Sequence, residues 1–279
     1  MLKKIIKAIL LSIIKIFSRS RFGNYVSRNF ISNAMSNRIK ISHNHINFVI
    51  TKPNTLCEWR AKTFSSKEPE TLSWIDSFVK DSIFWDIGAN IGLYSIYSNK
   101  KNNCKVWAFE PSVFNIEILA RNIFINDLSE SITIIPIPLN DKISTSTLNM
   151  TSLEWGGALS TFGNNFGWDG KKINEAFKFK TVGISMDNMH ELLNIPLPNY
   201  IKIDVDGLEH FILKGGKRIL KHVDEVLIEI NDDFDQQSKQ SFKLLSNAGL
   251  NLKHKLHSEY IENNTHGFQN TYNQIWTRK

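Results

Sequence analysis

A chain of 279 residues with 42% hydrophobic and 22% charged side chains can bury a full α/β core and is neither a disordered chain nor a membrane bundle. Its net charge of +7 divides unevenly: residues 1–57 carry ten Lys or Arg and no acid, and the remaining 222 residues carry 24 basic against 27 acidic side chains. The body therefore lacks the basic field of a nucleic-acid-binding protein, which leaves only the N-terminal arm basic. Cys57 and Cys104, 47 positions apart, form neither a disulfide framework nor a zinc spacing and fit a reducing cytoplasm.

The arm, residues 1–38, opens with MLKKIIKAILLSIIKIF. Its longest uncharged apolar run, residues 8–14, falls short of the ~20 residues that span a bilayer. Lys7 and Lys15 bracket that run and no small-residue cleavage site follows, which argues against a signal peptide. Helical spacing puts Lys3, Lys7 and Lys15 on one face and Ile6, Ile9, Ile13 and Ile16 on another. That pattern suits a helix on an anionic membrane surface, the inner face of a membrane for a cytoplasmic protein, with about 1 kcal/mol per basic residue. Packing of the isoleucines on the chain's own body or on a second subunit is the other reading.

Residues 18–38, rich in Asn, Ser and Arg, predict a linker or a loosely packed helix. Alternation of Ile39 and Ile41, then Ile46, Phe48 and Ile50, predicts a hairpin closed by Pro53 and Asn54. On it His43 and His45 share a strand face without a third metal ligand. Residues 68–79 space Leu72, Ile75, Phe78 and Val79 for a helix that starts near Glu70 or Thr71.

Strands and helices then alternate within residues 39–279, the single domain that follows the arm. Strands are predicted at 82–86, 106–109 and 132–139, and helices at 93–98 and 114–124. Further on, a strand at 200–203, a helix at about 208–221 and a strand at 225–230 follow. The rhythm implies an α/β fold: a doubly wound, mostly parallel sheet with both faces covered and right-handed crossovers. A helix at 237–248 and two strand-like runs, 250–257 and 272–277, predict an antiparallel pair at the end. Residues 140–180 show little periodicity and predict a functional lid or binding loop. Asp187 is expected to cap a helix.

DIGANIG, residues 86–92, falls where a strand turns into a helix. Gly88 permits a backbone that a Cβ obstructs, and Gly92 lets the helix pack close. Asp86 at the strand tip can meet an ammonium group, and amides at the helix start can meet a carboxylate. Together these describe an amino-acid tail. Eighteen residues after Gly92 stands Glu110, at the next strand tip, where an acid accepts hydrogen bonds from both ribose hydroxyls. Pro111 offers an apolar surface to a base. S-adenosylmethionine has both parts. The dinucleotide pattern G-x-G-x-x-G fails, because Asn90 and Leu93 occupy its second and third glycine positions.

These residues resemble FkbM-type methyltransferases over roughly residues 60–231. The matching segments are FWDIGANIGLYS (84–95), VWAFEPS (106–112), RNIFIN (121–126), SMDNM (185–189), IKIDVDGLEHFILKGG (201–216) and VLIEI (226–230). The resemblance implies a class I, Rossmann-like methyltransferase fold of seven strands ending in a reversed strand. It also implies methyl transfer to an oxygen, typically a hydroxyl of a sugar, glycan or secondary metabolite. The family commonly has Glu where this chain has Asp206.

Methyl transfer is an in-line displacement governed by alignment, and a hydroxyl acceptor must lose its proton to a positioned carboxylate or His. Asp204, Asp206 and Glu209 are the candidates, with His210 behind them. The turn at Asp206-Gly207 and the start of a helix at Glu209 are the structural alternatives. Mg²⁺ suits clustered carboxylates but no dedicated site is legible. Asn140 and Asp141 are placed to reach an adenine amino group; Glu154, Trp155, Gly156, Gly157 and Trp168 are placed to meet a sugar. An RNA methyltransferase, or a non-catalytic cofactor-binding protein, are the competing functions.

Overall fold

The computed structural model describes residues 2–257 and 269–278, with the side chains of residues 2–4, 7 and 8 outside the description. Two helices, α1 (Leu2–Phe17) and α2 (Arg21–Ser36), open the chain. Of the two readings of residues 18–38, the structure takes the helix. Ser20 caps α2 by accepting from the Gly23 N–H at 2.9 Å. The side chains of Lys3 and Lys7, which the spacing set on one face of α1, lie outside the described residues.

Strands β1 (Arg38–His43) and β2 (Ile46–Thr51) form the expected hairpin. Asn44 and His45 make its two-residue turn, with φ of 45° and 66°, the backbone that matches strand twist. His45 is therefore in the turn and does not share a strand face with His43. Helices α3 (Thr55–Lys62) and α4 (Phe64–Lys67) precede α5 (Pro69–Asp76). The first two carry no apolar periodicity, since α3 buries only Cys57 and Ala61, and so left no trace in the pattern.

The main body continues with β3 (Ile83–Ile87), α6 (Leu93–Asn102), β4 (Lys105–Phe109), α7 (Val113–Ile125) and β5 (Ile132–Ile135). Then come β6 (Ser144–Met150), β7 (Ser160–Phe162), β8 (Phe177–Gly183) and α8 (Met186–Leu193). The chain closes with β9 (Tyr200–Ile203), α9 (Glu209–Lys214), β10 (Glu225–Asn231), α10 (Asp235–Asn247), β11 (Leu250–Leu256) and β12 (Thr271–Arg278). Seven strands form one sheet in the order β11-β12-β10-β9-β3-β4-β5. All pairs from β10 to β5 are parallel, and β12 runs antiparallel to both β10 and β11. This is the class I methyltransferase arrangement with a reversed last strand.

Both faces of the sheet are buried, as its apolar strands require. Phe84, Val106 and Ala108 face one core layer, while Trp85, Ile87 and Phe109 face the other. The β1–β2 hairpin is tied to α7: Asn122 and Asn126 accept from the Thr51 and Val49 N–H groups at 2.7 and 3.1 Å. Because β3 pairs with β4 on one side and β9 on the other, the strand order reverses there. A crevice opens beyond the carboxyl ends at such a switch point.

Four further expectations change. The strand predicted at 132–139 stops at Ile135, because Pro136 and Pro138 have no N–H to continue the ladder. Residues 140–180 are not a plain loop; they hold the antiparallel sheet β7-β6-β8, whose polar Ser and Thr strand hid its alternation. The helix predicted to 221 ends at Lys214, where a Cβ on Gly215 would lie 2.3 Å from the Asn140 carbonyl oxygen. Ser185 rather than Asp187 caps α8; Asp187 accepts from the Arg218 and Ile219 N–H groups at 3.0 Å and so caps the next turn. Among the described residues no helix is long and apolar enough to cross a membrane.

Candidate active site

The ends of β3 and β9 meet at Gly88. Its φ is +88°, and a Cβ there would stand 1.9 Å from the Asp204 carbonyl oxygen, so only glycine lets the two strand tips come together. Asn90 follows at φ 51°, and Gly92 opens α6 as its N-cap. Gly88 is shared by three adjoining compartments along the strand ends.

The first compartment is apolar, walled by Phe109, Pro111, Ile137, Pro138, Leu139 and Phe162 among others. The central one, about 1270 Å³ out to its open mouth, is lined by Asn90, Glu110, Pro111, Gly157, Asp204, Asp206 and Glu229. The third holds Lys67, Glu68, Tyr94, Lys202 and Asp204. The order along the crevice is apolar slot, acid-lined centre, mixed-charge end.

Glu110, buried at the tip of β4, accepts from the Asn90 N–H with Oε2 and from the Ser112 N–H with Oε1, each at 2.8 Å. Burial pushes its carboxyl up to about 7, against the pull of those two N–H groups. The Asn115 side chain also bonds the carboxyl and opposes the rise, and acceptor capacity remains for a further donor. Asp86 sits one step back, within β3 and buried. Its Oδ2 accepts from the Ser95 hydroxyl at 2.5 Å, and its Oδ1 is buried without a partner. Burial raises its carboxyl, with Lys202 opposing. Asp86 thus lies behind the cleft wall rather than at the open strand tip that the motif suggested.

The three acids after β9 go to three places. Asp204 lines the cleft and accepts from Lys202 Nζ at 2.7 Å. Asp206 also lines it, in the left-handed region at φ 61°, with one oxygen held by the Leu159 N–H at 2.6 Å. Burial and the neighbouring Asp204 charge push Asp206 up to about 6. Glu209 is the exception: fully buried, it accepts from the Val205 and Gly207 N–H groups at 3.1 Å and from Gln237. It buckles the turn instead of facing the cleft. His210 likewise lies outside the cleft walls, buried beside Phe211 and Phe234, and burial lowers its imidazole to about 4.

Other expected contacts move as well. Asp141 pairs with Lys214 at 2.8 Å and is not part of the cleft wall, because the chain turns there against Gly215. Trp155 donates to Glu117 at 3.1 Å on α7, and Trp168 lies outside the cleft walls. The aromatic ring that lines the central compartment is Trp59 of α3. Gly157 does line it, its carbonyl accepting from Asn90 and Asn115 at 2.8 and 3.0 Å.

Five carboxylates and three cations line the central and charged compartments. Sequence patterns missed Arg60, Lys67, Glu68 and Glu229; strand alternation set Lys202 on the face of Asp204 without giving it a role. The usable signals were an acid in the apolar strand VLIEI and a lysine between isoleucines in IKID. Glu68 pairs with Lys67 at 2.5 Å and accepts from Tyr94 at 2.9 Å. Although burial opposes its charge, Lys67 and Lys202 hold it down at about 2. Burial is opposed in Lys202 too, where Asp204, Glu68 and Asp86 raise the ammonium. Glu229 is raised well above the usual range by burial and by Asp204 and Glu68. A cationic ligand would relieve this crowding of negative charge. Among the described residues no three His, Cys, Asp or Glu side chains group as metal ligands.

A family profile described as a methyltransferase FkbM domain matches residues 86–266. The hexuronic acid methyltransferase AglP of Haloferax volcanii is 29% identical over 196 residues, 70% of this chain and 74% of that protein. The methyltransferase sdnD of Sordaria araneosa is 36% identical over 64 residues, 23% of this chain and 25% of that protein. A solved structure of methyltransferase FkbM from Methylobacillus flagellatus aligns at a TM-score of 0.49 and 13% identity, covering 94% of this chain and 62% of that one.

Proposed function

The chain belongs to the FkbM methyltransferase family, and from that premise we propose that it transfers a methyl group from S-adenosylmethionine to an oxygen of a sugar or glycan acceptor. The observation that carries the cofactor is the placement of Glu110 between an apolar slot and a charged compartment. A base, a ribose and an amino-acid tail need those three environments in that order. The orphaned Asp86 oxygen and the surplus of carboxylates fit a ligand that carries a sulfonium and an ammonium.

When bound, S-adenosylmethionine supplies an electrophilic methyl group with a good leaving group. The chain's own residues position the partners. Glu110, fixed by two backbone N–H groups, would accept hydrogen bonds from the ribose hydroxyls. Lys67 and Lys202 would hold the tail carboxylate, and Asp86 would balance its ammonium. Asp206 takes the proton of the acceptor hydroxyl: it lines the cleft, and at about 6 it is ionised at neutral pH yet basic enough to accept. Asp204 is committed to Lys202.

For the acceptor, the relative that acts on a hexuronic acid and the cation Arg60 at the cleft make a sugar acid the first compound class to test. Purified enzyme and methyl-labelled cofactor are offered glucuronic- and galacturonic-type glycosides beside their neutral counterparts. Label in the sugar acids alone supports this reading. Cofactor binding without label in any sugar would remove the acceptor part of it, and absence of cofactor binding would remove the whole.

A further inference from the structure

We propose that α1 and α2 form a docking element that seats this enzyme on an anionic lipid surface. Among the described side chains, 28 large apolar residues are exposed, and 14 of them fall between Ile5 and Ile31. Ile9 is 54%, Ile13 57% and Phe30 74% exposed. A patch of that kind marks an interaction surface. Met35 of α2 packs against the core. The segment also precedes the region that matches the family profile.

Charge selects the occupant. Residues 1–57 hold ten Lys or Arg, and the first acid is Glu58. A second copy would bring a like-charged arm against this one, with no acid on either to compensate. A spanning helix is excluded by length and lysine content among the described residues. Nucleic acid would use the basic groups but leave the isoleucines exposed. An anionic bilayer satisfies both: its headgroups meet the basic side chains and its acyl boundary takes the apolar face. The sequence is also poorly disposed to helix in water. It is rich in β-branched isoleucine, and Lys3 and Lys4 stand at the positive end of the helix dipole. Helix content should therefore rise when lipid is added.

The test uses the full chain and flotation with vesicles of phosphatidylcholine alone or mixed with phosphatidylglycerol. Binding is expected only to the mixed vesicles and should weaken with salt. Lys15→Gln, Arg19→Gln and Arg21→Gln should each lower partitioning about fivefold. Ile9→Asp with Ile13→Asp should lower it at least about tenfold, while unchanged cofactor binding by that variant shows an intact body. No flotation, or equal flotation on neutral vesicles, overturns the proposal. So does dimerisation that the Asp pair abolishes, which assigns the face to a second copy. Retention on RNA without lipid binding also overturns it.

Discussion

The tips of β4 and β9 both carry acids into the same crevice, yet the fold treats them differently. At β4 a single carboxylate, Glu110, is clamped by two backbone N–H groups. At β9, three acids within six residues go separate ways: Asp204 to Lys202, Asp206 to the Leu159 N–H, and Glu209 inward to its own turn and Gln237. Proximity to a strand end does not assign a role. What the side chain finds within hydrogen-bonding reach does.

The largest expected effect falls on the β9 side. Asp206→Asn should cut single-turnover methyl transfer by about a hundred- to ten-thousandfold with cofactor affinity almost unchanged; a variant that transfers normally would move the proton to another group. In the native enzyme, transfer should rise with pH through about 6, where Asp206 ionises.

Glu110→Ala breaks the other side of the comparison. Loss of two charge-assisted bonds, about 1.5 to 3 kcal/mol each, predicts cofactor binding weakened about a hundredfold or more by calorimetry. Intact affinity would show that the β4 tip holds no ribose.

Glu209→Ala sharpens the contrast within β9. Unsatisfied N–H groups on Val205 and Gly207 should cost about 3 kcal/mol of stability in denaturant melts, while turnover per folded molecule persists. Turnover lost without a stability change would return Glu209 to the reaction.

The smallest effect is the pH dependence of cofactor affinity. Ribose hydroxyls need the ionised carboxylate, and burial has lifted Glu110 to about 7. As pH falls below about 7 the carboxyl takes up a proton, and affinity should drop up to about tenfold per unit. In Glu110→Gln that slope should vanish.

Much of the fold was legible. Strand–helix alternation marked the parallel strands from β3 to β10, and the terminal pair was visible as two strand-like runs. What escaped was local structure without an apolar rhythm: the short α3 and α4, and the Ser- and Thr-rich strand β6. At the site, Gly88, Asn90, Glu110, Pro111, Asp204 and Asp206 were legible and share one cleft, because each follows a strand end directly. Asp86 and Gly92 stand just behind it, while Asp141 and Glu209 lie elsewhere. Arg60, Lys67 and Glu68 reach the cleft from helices outside the parallel sheet, where no sequence spacing could tie them to it.

By itself the sequence determined the family, the switch-point crevice and the Gly88 turn, because these depend on periodicity and on residues at fixed offsets from strand ends. Only the tertiary structure decided which acids face the cleft and which brace it. Those roles depend on burial, on nearby cations and on backbone N–H groups supplied by distant segments such as residues 156–160. The same division holds for the arm: its amphipathic pattern was written in the sequence, but only the fold left that face uncovered.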